Sequence, residues 1–201
     1  MELKKTSKQF QMQMECAKKA DIWNATMLSF GGLLGYCREN HSIIGHDNDL
    51  DLIIRSDLIT IEQEDAFFKY CEEKGLFRYR KKVQINPITG RFFWFSLRAF
   101  PNHTSWKCCH WFNFLYKGYS FHCKGTNALV KGIPANYLEI GPAVEYLGSE
   151  IHIPKYPGAC LDFWYPDWAT SRSGGNSSKK ILLNIPDWQD EETWKLHIGE
   201  Y

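Results

Sequence analysis

The segment HDNDLDLII, residues 46–54, constrains this chain more than any other. It sets Asp47, Asp49 and Asp51 at alternate positions and runs straight into Leu52, Ile53 and Ile54. On a β-strand, residues two apart point to the same side, so Asp49 and Asp51 share one face, ~6.6 to 7 Å apart. Asp47 joins them if the lead-in to the strand stays extended. Leu50, Leu52 and Ile54 take the opposite face, and Ile53 interrupts the acidic side with an apolar residue. A strand this apolar is expected inside a sheet, with its acids at a partly desolvated end. At that spacing two carboxylates repel by roughly 2 to 2.5 kcal/mol for an effective dielectric near 20, so something positive is expected beside them. A hard divalent cation suits oxygen ligands, and Mg²⁺ takes one or two carboxylates together with substrate phosphates. The alternation alone also fits an edge strand with a solvated acidic face, or a turn begun by Asp47 and Asn48.

A glycine pair upstream favours the metal reading. Gly31-Gly32 leave a predicted strand near residues 25–30 and open a short helix, LLGYCREN. Backbone N–H groups at such a helix start hold phosphate oxygens. Alone, two glycines indicate only a tight turn. Strand, Gly-Gly, helix, then Asp-Leu-Asp on a second strand describes a phosphate cradle beside a metal site, the core of a nucleotidyltransferase fold.

The remaining sequence supplies the frame. A chain of 201 residues, 44% hydrophobic and 15% aromatic, reads as a single domain spanning residues 1–201 with a sizeable core. Its formal net charge of +1 argues against a broad surface for nucleic acid. No apolar run reaches 18 residues, and the N-terminus lacks the apolar stretch of a secretory signal. The seven cysteines fit reduced thiols; a cytoplasmic setting is the resulting expectation, with peripheral docking on a membrane partner as a variant. Thr6 and Ser7 are placed to cap a first helix whose Phe10, Met14 and Ala17 share one face. TIEQEDAFFKYCEEKG predicts a second long helix, with Thr60 and Gln63 as a capping box and Gly75 as its stop. FRYRKKVQI and RFFWFSLRAF flank a turn at NPITG, and CCHWFNFLY and YSFHCK flank Lys117-Gly118, so two hairpins are expected. A strand near residues 150–153 and short helices complete the chain. The fold class is α+β: a mostly antiparallel or mixed sheet with helices against it.

These residues carry a family resemblance. GGLLGYCREN…IIGHDNDLDLII resembles the LicD and fukutin-related family, whose pattern is roughly G-T-LLG-x-x-R followed by I-P-x-D-x-D-x-D and an apolar tail. The match takes in Gly32, Leu34, Gly35 and Arg38, then Ile44, Asp47, Asp49 and Asp51. The later stretch GIPANYLEIGPAVEYLGSEIHIPKYPGACLDFWYPDW is similar to that family's C-terminal region. The resemblance implies a nucleotidyltransferase-like fold that moves a phospho-alcohol, such as phosphocholine or ribitol phosphate, from a CDP-linked donor to the hydroxyl of a glycan or glycolipid. It implies Asp49 and Asp51 on Mg²⁺ or Mn²⁺, Asp47 completing the metal shell or taking the acceptor's proton, and the backbone of Gly31 and Gly32 on phosphate oxygens. Arg38 either pairs with a phosphate or anchors the acidic strand. The chain departs from the family at three places. Gly31 precedes Gly32 and Leu33 stands where threonine is common; Gly45-His46 replace Pro-Trp; and Asn113 in WFNFLY occupies the best local match to a third carboxylate. Asn113 is able to ligate a metal through its carbonyl oxygen but not to act as a base.

Other features admit two readings each. Cys108, Cys109 and His110, facing His122 and Cys123 across the second hairpin, suggest zinc, but adjacent strand residues point to opposite sides, and buried thiols are the plainer reading. The loop SRSGGNSSKK, with Arg172, either closes over a phosphate or is solvated. Trp164, Trp168, Trp188 and Trp194 read as core. Two other function classes stay open: a pseudoenzyme that binds nucleotide or glycan without turnover, and a nucleotidyltransferase moving NMP from an NTP with release of pyrophosphate.

Overall fold

A computed structural model describes residues 2–44, 49–78, 84–85, 92–99, 107–116, 119–124, 129–165, 167–170 and 182–183, with side chains for 7–44, 49–76, 133–165 and 167–170. It is an α+β protein built on one mixed sheet. The strands are β1 (Thr26–Leu28), β2 (Asp49–Arg55), β3 (Leu76–Arg78), β4 (Gln84–Ile85), β5 (Phe92–Ala99), β6 (Lys107–Tyr116), β7 (Tyr119–Lys124), β8 (Leu129–Pro134), β9 (Ile140–Tyr146), β10 (Ser149–Pro154) and β11 (Leu182–Leu183). They run in the order β11-β8-β7-β6-β2-β1-β10-β9, with β5 also on β6 and both β3 and β4 on β5. The helices are α1 (Glu2–Lys19), α2 (Phe30–Arg38), α3 (Ile61–Glu73) and α4 (Pro157–Trp164).

The acidic strand is interior, as its apolar content requires. β2 lies between β1, antiparallel to it, and β6, parallel to it. That rules out the edge-strand reading: Leu50, Leu52, Ile53 and Ile54 are at most 1% exposed, while Asp49, Asp51 and Arg55 are half-buried. The 3.6-residue apolar stripe of α1 behaves similarly, burying Phe10, Met14 and Ala17. Thr6 and Ser7 do not cap this helix, because it already begins at Glu2. α1 serves two cores. Phe10 and Met14 join Leu28, Leu33, Leu50, Leu52 and Trp164 in one, and Cys16 and Ala17 join Ile54, Phe67, Phe68 and Cys71 in the other.

α3 follows its local signals closely. The Thr60 hydroxyl accepts from Gln63 N–H at 3.2 Å, and Gln63 Oε1 accepts from Thr60 N–H at 2.8 Å. Gly75 stands just past the helix at φ +78°, a left-handed conformation that glycine adopts without a side-chain clash. Both expected antiparallel pairings form, β4 with β5 and β6 with β7, and β3 adds a further antiparallel partner for β5. The NPITG turn lies outside the described residues. No described helix is long and apolar enough to cross a membrane.

Candidate functional site

The site gathers where β1 ends, α2 begins and β2 starts. β1 pairs with β2 through Leu28 and Leu52, so the next residue, Ser29, arrives beside Asp51. The Ser29 N–H donates to the Asp51 carbonyl at 3.1 Å, which ties the start of α2 to the acidic strand. The Ser29 carbonyl then accepts from Leu33 N–H at 3.1 Å and opens the helix. α2 therefore starts at Phe30, three residues earlier than the apolar run beginning at Leu33 indicated, and the glycine pair sits in its first turn. A Cβ on Gly32 would come within 2.8 Å of Leu50 Cδ1 and 3.1 Å of the Asp51 carbonyl oxygen. Gly32 is buried and lets α2 lie directly on the acidic end of β2, whereas Gly31 is partly open. Gly35 is needed for another reason: a Cβ there would overlap the carbonyl oxygen of Ser42, in the loop leading toward β2.

Phe30 carries backbone strain. Its φ of +41° lies in the left-handed region, where a bulky residue costs about 1–2 kcal/mol. Its ring packs against Trp164 of α4 with centroids 4.4 Å apart, which holds it in place. α4 contributes Cys160 to the same region; burial, followed by the nearby Cys37 of α2, pushes its thiol pKa up to about 12. Its Sγ donates to the Tyr137 carbonyl at 3.1 Å.

The sequence-derived candidates are placed unevenly. Asp49 and Asp51 alternate at the start of β2 and are half-buried, and the backbone of Asp51 is bonded to the residue that precedes α2. Asp47 and Arg172 lie outside the described residues. Arg38 ends α2, about 10 Å along the axis from Gly31 at 1.5 Å per residue, and its Nε donates to Glu39 Oε1 at 2.8 Å. This places it away from the glycine pair. Asn113 is not brought to the acids. In the parallel β2–β6 register it stands opposite Arg55, four residues beyond Asp51 and so about 13 Å along the strand. The positions opposite Asp49 and Asp51 are Lys107 and Cys109. Cys108, Cys109 and His110 register with β2 and β5, while His122 and Cys123 register with β8, so the hairpin does not set these two groups against each other.

Sequence reasoning passed over Ser29 and Phe30. A serine just before a helix is an N-cap signal, but here it was absorbed into the preceding strand. The hydroxyl makes no cap hydrogen bond, so its importance is not that of an ordinary cap.

The donor set fits a hard cation. Two carboxylates on one face, each partly open to solvent at a strand end, offer oxygen ligands and leave coordination positions for water or phosphate. Among the described residues no group of three or more acidic, histidine or cysteine side chains forms a larger cage.

Comparison with known families gives a match over residues 24–154 to LicD/FKTN/FKRP, nucleotidyltransferase domain. The match covers about two thirds of the chain and includes β1, α2, β2 and the sheet as far as β10. No curated protein matches the chain. The start of α2, the two acids of β2 and the mixed sheet that joins them are thus the core of a nucleotidyltransferase domain, and the chain belongs to the LicD/FKTN/FKRP family.

Proposed function

We propose that the protein transfers a phospho-alcohol group, such as phosphocholine or ribitol phosphate, from a CDP-linked donor to a glycan or glycolipid hydroxyl, with release of CMP. The observation that carries this reading is the 3.1 Å hydrogen bond from Ser29 N–H to the Asp51 backbone carbonyl, which ties a helix N-terminus to the strand that bears two alternating carboxylates. A diphosphate and a divalent cation are the ligands such a pair suits.

In this reading Asp49 and Asp51 hold Mg²⁺ or Mn²⁺. When bound, the ion neutralises charge on the diphosphate and on the departing CMP. The first turn of α2, at Gly31 and Gly32, offers N–H groups and the positive end of the helix dipole to phosphate oxygens. The acceptor oxygen forms a bond to the distal phosphorus, the bond from that phosphorus to the CMP oxygen breaks, and the hydroxyl proton passes to Asp47 or to solvent. Such transfers depend mainly on positioning and charge neutralisation. A cytoplasmic setting, in which the protein modifies a precursor, belongs to the same reading.

One observation favours a second reading. Neither strand hydrogen-bonded to β2, β1 (Thr26–Leu28) or β6 (Lys107–Tyr116), contains an Asp or Glu. A site to which the strands flanking β2 add no carboxylate suits nucleotide binding without turnover. CMP release from a panel of CDP-alcohols with Mg²⁺ and a glycan acceptor decides between them. Turnover that Asp49→Asn removes supports the transferase; metal-dependent CDP binding without CMP release supports the binding module. Pyrophosphate release from an NTP would instead mark an NMP transferase.

A further inference from the structure

Among the described residues, buried side-chain polar atoms without a hydrogen-bond partner include those of Gln13, Ser29 Oγ, His152 Nε2 and Trp164 Nε1. Two of these adjoin a single residue. Ser29 precedes Phe30 in the chain, and the Trp164 ring lies against the Phe30 ring at 4.4 Å. Ser29 is 0% exposed and Trp164 2%. Phe30 itself holds the positive φ described above. An unsatisfied hydroxyl and a strained backbone therefore adjoin at the first turn of α2, and the indole that carries the second unsatisfied donor lies on the ring of the strained residue.

Each is a cost. A buried polar group without a partner forgoes its hydration with nothing in exchange, and most buried groups in folded proteins do have partners. Strained conformations persist where their surroundings over-determine them, often at ligand sites. A serine at an N-cap ordinarily offsets its burial by accepting from the second or third helical N–H. Ser29 does not, so its hydroxyl and the first turn of α2 are left without that mutual satisfaction.

Building on the donor reading above, we propose that Ser29 Oγ–H and Trp164 Nε1–H are positioning donors for a phosphate oxygen of the nucleoside diphosphate seated at the start of α2. An anionic oxygen accepts from both groups and from the first N–H groups of the helix, turning unsatisfied donors into charge-assisted hydrogen bonds. Neither atom reaches solvent in the free chain, so seating involves a small displacement at Phe30, whose present backbone conformation is the costly one.

The test separates a ligand role from a structural one. Wild type, Ser29→Ala, Trp164→Phe and Asp49→Asn are compared for unfolding midpoint without ligand and for affinity toward CDP with Mg²⁺ by calorimetry; inorganic pyrophosphate with Mg²⁺ is the second probe. Trp164→Phe keeps an aromatic ring at this buried position but removes the five-membered ring together with its N–H, so its ligand-free midpoint is read beside its affinity to separate lost packing from a lost donor. Ser29→Ala is expected to unfold at or above the wild-type midpoint, because it removes an unpaired buried hydroxyl, while its CDP affinity falls roughly 10- to 100-fold. Trp164→Phe is expected to lose affinity similarly, and pyrophosphate to follow CDP because the contact is to phosphate. If Ser29→Ala lowers the midpoint, with or without a loss of affinity, Ser29 is a structural residue and the inference falls. Affinity unchanged in both variants also overturns it. If Asp49→Asn weakens CDP while Ser29→Ala and Trp164→Phe do not, the donor reading stands and this inference alone is lost. If wild type binds neither probe, both are lost.

Discussion

Gly35→Ala tests the packing of α2 on the loop that leads to the acids. Gly35 is buried in the middle of α2, and an added Cβ would overlap the Ser42 carbonyl oxygen and come to 3.4 Å from Ile44 N. Both neighbours are backbone, so no rotamer change relieves the contact. The Ser42 carbonyl also accepts from Tyr146 Oη at 3.4 Å, a bond that a shift of the loop would break. Overpacking of this kind costs about 1–3 kcal/mol, and the lost hydrogen bond about 0.5–1.5 kcal/mol. Replacing glycine by alanine within a helix returns about 0.8–1.0 kcal/mol. The net destabilisation is therefore ~0.5–3.7 kcal/mol, which for a chain of this length lowers the melting point by roughly 1–15 °C. Gly158→Ala is the matched control. It lies in α4 with nothing within 4 Å of the added Cβ, so only the helix gain remains, and stability should rise by ~0.5–1 kcal/mol. Urea unfolding of both variants beside wild type reads the contrast as two shifts of opposite sign. Gly35→Ala at wild-type stability or above would refute the close approach of residues 42–44 to α2.

Thr60→Ala removes the hydroxyl that accepts from Gln63 N–H, and should cost about 1 kcal/mol in thermal or urea unfolding. Asp49→Asn should abolish any rise in melting point produced by Mg²⁺ with CDP, while keeping wild-type stability or better in the absence of metal, since it relieves repulsion with Asp51. Cys160 gives a pH prediction. Its folded pKa of about 12 lies above the ordinary thiol value of 9.0, so the folded chain holds this proton more tightly than the unfolded one. The stabilisation is complete below pH 9 and is lost between 9 and about 12, at up to roughly 1.4 kcal/mol per pH unit. Unfolding midpoints followed above pH 9 should fall less steeply in Cys160→Ala than in wild type; equal slopes would count against the burial of this thiol.

Local signals carried the sequence a long way. The two faces of β2 were legible, because alternation on a strand of period two puts Leu50 and Leu52 opposite Asp49 and Asp51. α3 was legible at both ends, since a capping box and a left-handed glycine act within a few residues of one another. The family pattern through Gly32, Gly35, Arg38 and the aspartates was legible for the same reason. The long-range pairings were not. Asn113 matched a local motif, but β6 is reached through more than fifty intervening residues, and its register against β2 is set by sheet pairing, which places Arg55 opposite Asn113. The glycine pair was placed ahead of the helix because no periodicity marks a helix's first turn; α2 starts at Phe30, just after Ser29 is bonded to Asp51. Nor does sequence state that Trp164 covers Phe30, or that the Ser29 hydroxyl is buried without a partner. Sequence determined the elements and the chemistry they carry, through interactions that span a few residues. Tertiary structure decided which of those groups meet, because register, close helix packing and the solvation of each polar atom depend on neighbours far away in the chain.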